Sequence, residues 1–116
     1  MNTGTSKSPI QSVRWVGRDA VVKVVGDIDL NRSLEFQHGL LELLDSKPDR
    51  LVVNLGGVPY MDSSGVASLV KLLSRVRRCG LGLRLVALSD RVRSVFEITR
   101  LDSVFDICAT EEEALA

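Results

Sequence analysis

Residues 50–78 read RLVVNLGGVPYMDSSGVASLVKLLSRVRR, and this stretch decides the fold. Its opening, Arg50-Leu51-Val52-Val53-Asn54-Leu55, is a short aliphatic and β-branched run, which marks a strand. Residues 56–61 form a connection. Apolar side chains then recur as Val66, Leu69, Val70, Leu73 and Val76, the i, i+3, i+4, i+7, i+10 spacing of one helix face. Ala67, Ser68, Lys71, Ser74, Arg75 and Arg78 fall on the opposite face, and Gly80 stops the helix. A strand feeding an amphipathic helix is the repeating half of a parallel α/β sheet.

The same alternation extends to both sides. Upstream, residues 13–16 and 20–25 read as strands joined by the turn Gly17-Arg18-Asp19, an antiparallel hairpin. The second of them, Ala20-Val21-Val22-Lys23-Val24-Val25, is nearly all apolar, as in a strand buried on both faces. Gly26-Asp27-Ile28-Asp29 breaks it, and Asn31 or Ser33 caps a helix running to about Ser46. Leu34, Leu40, Leu41, Leu43 and Leu44 give that helix its apolar face, with His38 turned away from it. Downstream, residues 83–88 read as a strand and 91–99 as a helix capped by Ser89 or Asp90. Residues 104–108 read as a last short strand, and Thr110 opens a terminal helix whose first turn is Glu111-Glu112-Glu113. The expected fold is a single α/β domain. Its mixed, mostly parallel sheet has about five strands, with about four helices. Residues 1–9 are polar and small and read as a flexible N-terminal tail, leaving 10–116 as the domain.

Composition narrows the function. The net charge is zero over 116 residues, which removes the electrostatic footprint of a nucleic-acid or anionic-membrane binder. The arginines at 75, 77, 78, 91 and 93 read as solvated helix faces. Cys79 and Cys108 form no metal-ligand spacing, and His38 is the only histidine, so no zinc site is expected. The two cysteines read as buried thiols in a reducing cytoplasm. No apolar run is long enough to span a membrane, no signal peptide is present, and no apolar patch argues against a monomer.

Enzyme constellations are missing too. A Ser-His-Asp triad would need His38, which the helical spacing leaves exposed. There is no nucleophile elbow and no glycine-rich phosphate loop. Asp27 and Asp29 are a carboxylate pair that serves equally as turn formers or as part of a site. Asp62-Ser63-Ser64-Gly65, at a helix start, says more. Asp or Ser there caps the helix. The same place, with its positive dipole end and unpaired N–H groups, also favours a phosphate on a serine hydroxyl. Position alone leaves both readings open.

Three segments together carry a resemblance: Gly26-Asp27-Ile28-Asp29, then Leu51-Val52-Val53-Asn54-Leu55, then Tyr60-Met61-Asp62-Ser63-Ser64-Gly65-Val66. In motif spacing and element order, from about Val13 to Leu115, the chain resembles the STAS domain of bacterial anti-sigma-factor antagonists. The resemblance implies a partner-switching phosphoprotein in the cytoplasm. Its unphosphorylated form binds an anti-sigma serine kinase of the histidine-kinase-like ATPase class and so releases a sigma factor. The kinase phosphorylates the serine matching Ser63, and a PP2C-type phosphatase removes the phosphate. Asp27, Asp29 and Asp62 match acidic positions near that serine, with Ser64, Gly65 and Ala67 on the same partner surface. ATP and Mg²⁺ belong to the kinase, so the chain itself is expected to need no cofactor. The alternative is a STAS scaffold or adaptor that is never phosphorylated, in a stress complex or a lipid-transport complex. Departures from the family pattern are Ala67 for the commoner glycine, Gly-Asp-Ile-Asp for Gly-Glu-Leu-Asp, and Asn54 where Asp is common.

Overall fold

The stretch from 50 to 78 folds as its pattern dictates, into a strand, a connection and a long helix, in a computed structural model that describes residues 8–116. In chain order the elements are β1 (Ile10–Val16), β2 (Asp19–Val25), α1 (Ser33–Leu43), β3 (Arg50–Gly57), α2 (Ser63–Cys79), β4 (Gly82–Val86), α3 (Asp90–Ile98), β5 (Asp106–Cys108) and α4 (Glu111–Leu115). Single 3-10 turns follow α1 at Leu44–Ser46 and α3 at Leu101–Ser103. The strands lie in the order β1-β2-β3-β4-β5. The β1–β2 hairpin is antiparallel and every other pair is parallel. This is the expected single α/β domain. Most of the expected tail lies outside the described residues. At its end Pro9 is buried, and its carbonyl accepts the Val25 N–H at 2.9 Å.

Alternation along the strands sorts side chains into two cores. Ala20, Val22 and Val24 of β2, Leu51, Val53 and Leu55 of β3, and Leu83 and Leu85 of β4 join the main core with side chains from α1, α2 and α3. Val21, Val52 and Val86 point the other way and meet Ala114 of α4. β2 is therefore buried on both faces only in its first half. Lys23 and Val25 are exposed, because α4 is five residues long, spans only about 8 Å, and lies over β3, β4 and β5.

Asn54 is explained by this second face. Its amide donates to the Glu111 carboxylate at 2.7 Å, and its Oδ1 accepts the Gly56 N–H at 2.8 Å. Arg14 reaches the same carboxylate at 3.0 Å. An aspartate at 54 would set two carboxylates against each other where the asparagine holds α4 down. Arg50 and Arg84 both donate to the Ala114 carbonyl, which suits the negative end of a helix.

The helix faces differ from expectation in detail. Val66, Leu69, Leu73 and Val76 of α2 are buried as expected, but Leu72 and Ser68 join them and Val70 is exposed. The cause is α1, which packs on one flank of α2 and turns the buried arc toward Leu72. Ser68 tolerates burial because its hydroxyl donates to Ser33 O at 3.2 Å and Ser64 O at 3.0 Å. In α1 the buried stripe is Phe36 and Leu40, continued by Leu44, while Leu34 is exposed. Cys79 is exposed at the end of α2 and Cys108 is half-buried, so neither is the buried thiol expected. His38 is exposed, as its spacing requires.

Candidate functional site

Two loops at the carboxyl ends of β2 and β3 build the site. Parallel pairing continues past the strands: Gly26 N donates to Gly57 O at 2.8 Å, Ile28 N to Tyr60 O at 2.9 Å, and Asp62 N to Ile28 O at 3.1 Å. Ile28 and Met61 form an isolated parallel bridge, and both side chains are buried. The pairing therefore lays Gly26-Asp27-Ile28-Asp29 beside Tyr60-Met61-Asp62.

Asp29 leads into α1. Its Oδ1 accepts the Asn31 N–H at 3.0 Å and the Arg32 N–H at 3.2 Å. Its carbonyl accepts from Arg32 and Ser33 at 3.0 and 2.8 Å. The expected cap by Asn31 or Ser33 is not formed: the N-cap position of α1 is Arg32, with no side-chain cap, and Asp29 instead holds the turn before it. Asp27 is exposed in the same loop.

Asp62 caps α2 from an extended conformation, with φ −96° and ψ −173°. Its Oδ1 accepts the Ser64 N–H at 2.9 Å, the Gly65 N–H at 3.3 Å and the Ser64 hydroxyl at 2.5 Å. The Ser64 hydroxyl, with the two backbone N–H groups, holds the Asp62 carboxyl below its ordinary value of 3.8, against a smaller opposing effect of burial. A lowered folded-state value adds stability that is present above 3.8 and lost as pH falls below it. Asp62→Asn keeps a capping oxygen that does not titrate. Its unfolding midpoint is expected to fall less steeply with acid than that of the wild type, measured by urea denaturation between pH 6 and about 2.5. Parallel acid limbs would show that the carboxylate bonds contribute nothing.

Ser63 and Ser64 are treated differently. Ser63 is the first residue of α2 and exposed, and among the described residues its hydroxyl has no hydrogen-bond partner. Ser64 is half-buried and committed to Asp62. The N–H groups of Ser64 and Gly65, expected to be open to a phosphate, are occupied by Asp62. A phosphate on Ser63 would meet the helix dipole but not those two donors. Gly65 is buried against Ile28 and Met61, and Ala67 is exposed on α2.

The spacing pattern did not reveal the surroundings. Ser63 lines a groove of about 320 Å³ together with Tyr60, Met61, Asp62 and Val66, with Val95 of α3 and with Thr99 just past the end of that helix. The Arg91 guanidinium lies 5.7 Å from the Tyr60 ring centroid. On the other side of the site Leu30 and Leu34 are 76% and 61% exposed. Leu30 between Asp29 and Asn31, an apolar residue inside turn chemistry, was the signal available in the sequence. Among the described residues no group of His, Cys, Asp and Glu could hold a metal, and no helix is long and apolar enough to cross a membrane.

The STAS domain family model matches residues 12–114. The anti-sigma-B factor antagonist of Bacillus subtilis is 34% identical over 94 residues, covering 81% of this chain and 85% of that protein. A solved anti-sigma factor antagonist from Mycobacterium paratuberculosis superposes with a TM-score of 0.83 at 25% identity, covering 90% of this chain and 88% of that one. The Bacillus cell fate determinant SpoIIAA in its phosphorylated form shares the fold, with a TM-score of 0.68 at 23% identity over 90% of this chain and 95% of that one. With the strand order, the paired loops and the helix-capping Asp62 in place, the chain belongs to the STAS family of anti-sigma-factor antagonists, non-catalytic regulatory domains that act by switching partners.

Proposed function

We propose that this protein is a phosphorylation-controlled antagonist whose switch is Ser63. The observation that carries the reading is the Ser63 hydroxyl, exposed and unbonded among the described residues at the start of α2. It is flanked by the Asp62 carboxylate and by the loop that carries Asp27 and Asp29. Unphosphorylated, this surface binds an anti-sigma serine kinase of the histidine-kinase-like ATPase class, and the sigma factor or other target held by that kinase is freed. The partner surface takes in Asp27, Asp29, Asp62, Ser64 and Ala67, with Gly65 buried beneath it against Ile28 and Met61. The kinase brings its own ATP and Mg²⁺. Phosphorylation adds about −1.5 to −2 charges to a surface that is already acidic, so the phosphoprotein leaves the kinase. A PP2C-type phosphatase restores the first state. The protein works in the cytoplasm, as a monomer when free, with the domain spanning 10–116.

Binding to the cognate kinase, measured by calorimetry with ADP and Mg²⁺, tests the reading. Ser63→Ala is expected to bind within about threefold of the unmodified protein, and Ser63→Asp at least about tenfold more weakly, since like charges across an interface cost several kcal/mol. Equal affinities for the two variants would remove Ser63 from the switch. Protein recovered from cells only in unmodified form would point to a scaffold instead.

A further inference from the structure

We propose that Asp62 selects the phosphoacceptor: it sequesters the Ser64 hydroxyl, so that modification falls on Ser63. This rests on the phosphorylation reading above and goes beyond it, because two adjacent serines are present and charge alone does not separate them. At helix positions one and two, Ser63 and Ser64 sit in the same dipole field. What differs is the hydroxyl. That of Ser64 donates to Asp62 Oδ1 at 2.5 Å, a short charge-assisted bond, and its side chain is half-buried. That of Ser63 is exposed, with no hydrogen-bond partner among the described residues.

In the transfer, a serine Oγ forms a bond to the γ-phosphorus of ATP. The bond from that phosphorus to the β–γ bridging oxygen breaks, ADP leaves with the electron pair, and the hydroxyl proton passes to a base of the kinase. For Ser64 this would require breaking the bond to Asp62 and bringing an anionic donor against the carboxylate. Asp62 is no substitute for the kinase's base. Its Oδ1 already accepts three hydrogen bonds, and these hold the carboxyl below its ordinary value, which makes it a poor proton acceptor. Hydrogen bonds to a charged group correspond to a bias of about tenfold to a hundredfold. Asp62 therefore has two tasks: it caps α2, and it hides one of the two serines.

The experiment has two arms. In the first, no kinase is needed: the Ser64 hydroxyl proton is followed by NMR in the wild type and in Asp62→Ala. A slowly exchanging Ser64 hydroxyl proton, lost in Asp62→Ala, is expected. A rapidly exchanging one in the wild type would overturn the proposal. In the second, label from the cognate anti-sigma kinase with ATP and Mg²⁺ is mapped by mass spectrometry. Ser63→Ala is expected to take almost no label at Ser64, and Asp62→Ala with Ser63→Ala to take about tenfold more. Ready labelling of Ser64 in Ser63→Ala, with Asp62 intact, would overturn the selection while leaving phosphorylation of this turn in place. A wild type that takes no label anywhere would instead end the phosphorylation reading, and the hydroxyl's sequestration would then be decided by the first arm.

Discussion

Gly65→Ala is expected to destabilise the protein by about 2 kcal/mol, although alanine is the better helix former. Two effects of opposite sign compete. Helix propensity alone would favour the alanine by about 1 kcal/mol. Against this, a Cβ at position 65 would lie 2.6 Å from Met61 Cγ, 2.8 Å from Ile28 Cγ2 and 3.2 Å from Ile28 O. Ile28 and Met61 are both buried, and they belong to the bridge that joins the two loops, so neither can swing into solvent. Overpacking of this kind costs about 1–3 kcal/mol and sometimes more, so crowding wins. Thermal unfolding is expected to show a midpoint lowered by about 6–10 °C. The consequence reaches the site, because relief of the clash pushes Ile28 away from Met61 and with it Asp29 away from Asp62. An unchanged or raised midpoint would mean that the close approach of α2 to the Ile28 loop does not exist in solution.

That close approach also marks the limit of what the sequence discloses. Asp62 as a cap was legible, because capping is a local event decided within four residues. The strands were legible for the same reason, as was the arginine-bearing exposed face of α2. The joining of Ile28 to Met61 was not, since it depends on β2 and β3 being parallel neighbours, a fact about chain path rather than composition. Family resemblance, not periodicity, brought Asp29 toward Ser63. The exposure of Val70 and the burial of Ser68 were hidden because a helix packed on another helix as well as on a sheet has its buried arc turned toward that neighbour. Cys79 was misread because a small apolar residue at a helix end need not follow the face of the turns before it. The groove beside Ser63 needs Val95 of α3 and Thr99 at its end, more than thirty residues further along the chain, and no local pattern connects them.

Helix α1 offers the sharpest contrast between neighbours. Phe36→Ala is expected to lose about 3–5 kcal/mol, whereas Leu34→Ala should change stability by no more than about 0.5 kcal/mol. The sequence alone favours the opposite ranking, because Leu34 joins the row of leucines at 40, 41, 43 and 44 and Phe36 stands outside it. Packing reverses this. Phe36 is fully buried, one turn before the equally buried Leu40, and both belong to the main core. Removing the ring leaves a cavity in a close-packed interior, and the surroundings relax only in part. Leu34 keeps 61% of its surface in water, so its truncation sacrifices little burial, and alanine's helix propensity offsets part of that. Against a total of about 5–15 kcal/mol for a domain of this size, the loss at Phe36 brings the fold near its limit. Urea unfolding of the two variants at one pH measures both, with the same slope expected for each if both unfold from the same native state. A larger loss at Leu34 than at Phe36 would mean that α1 is rotated about its axis. It would then present Leu34 to the core and leave Phe36 toward solvent, the reverse of the observed burial.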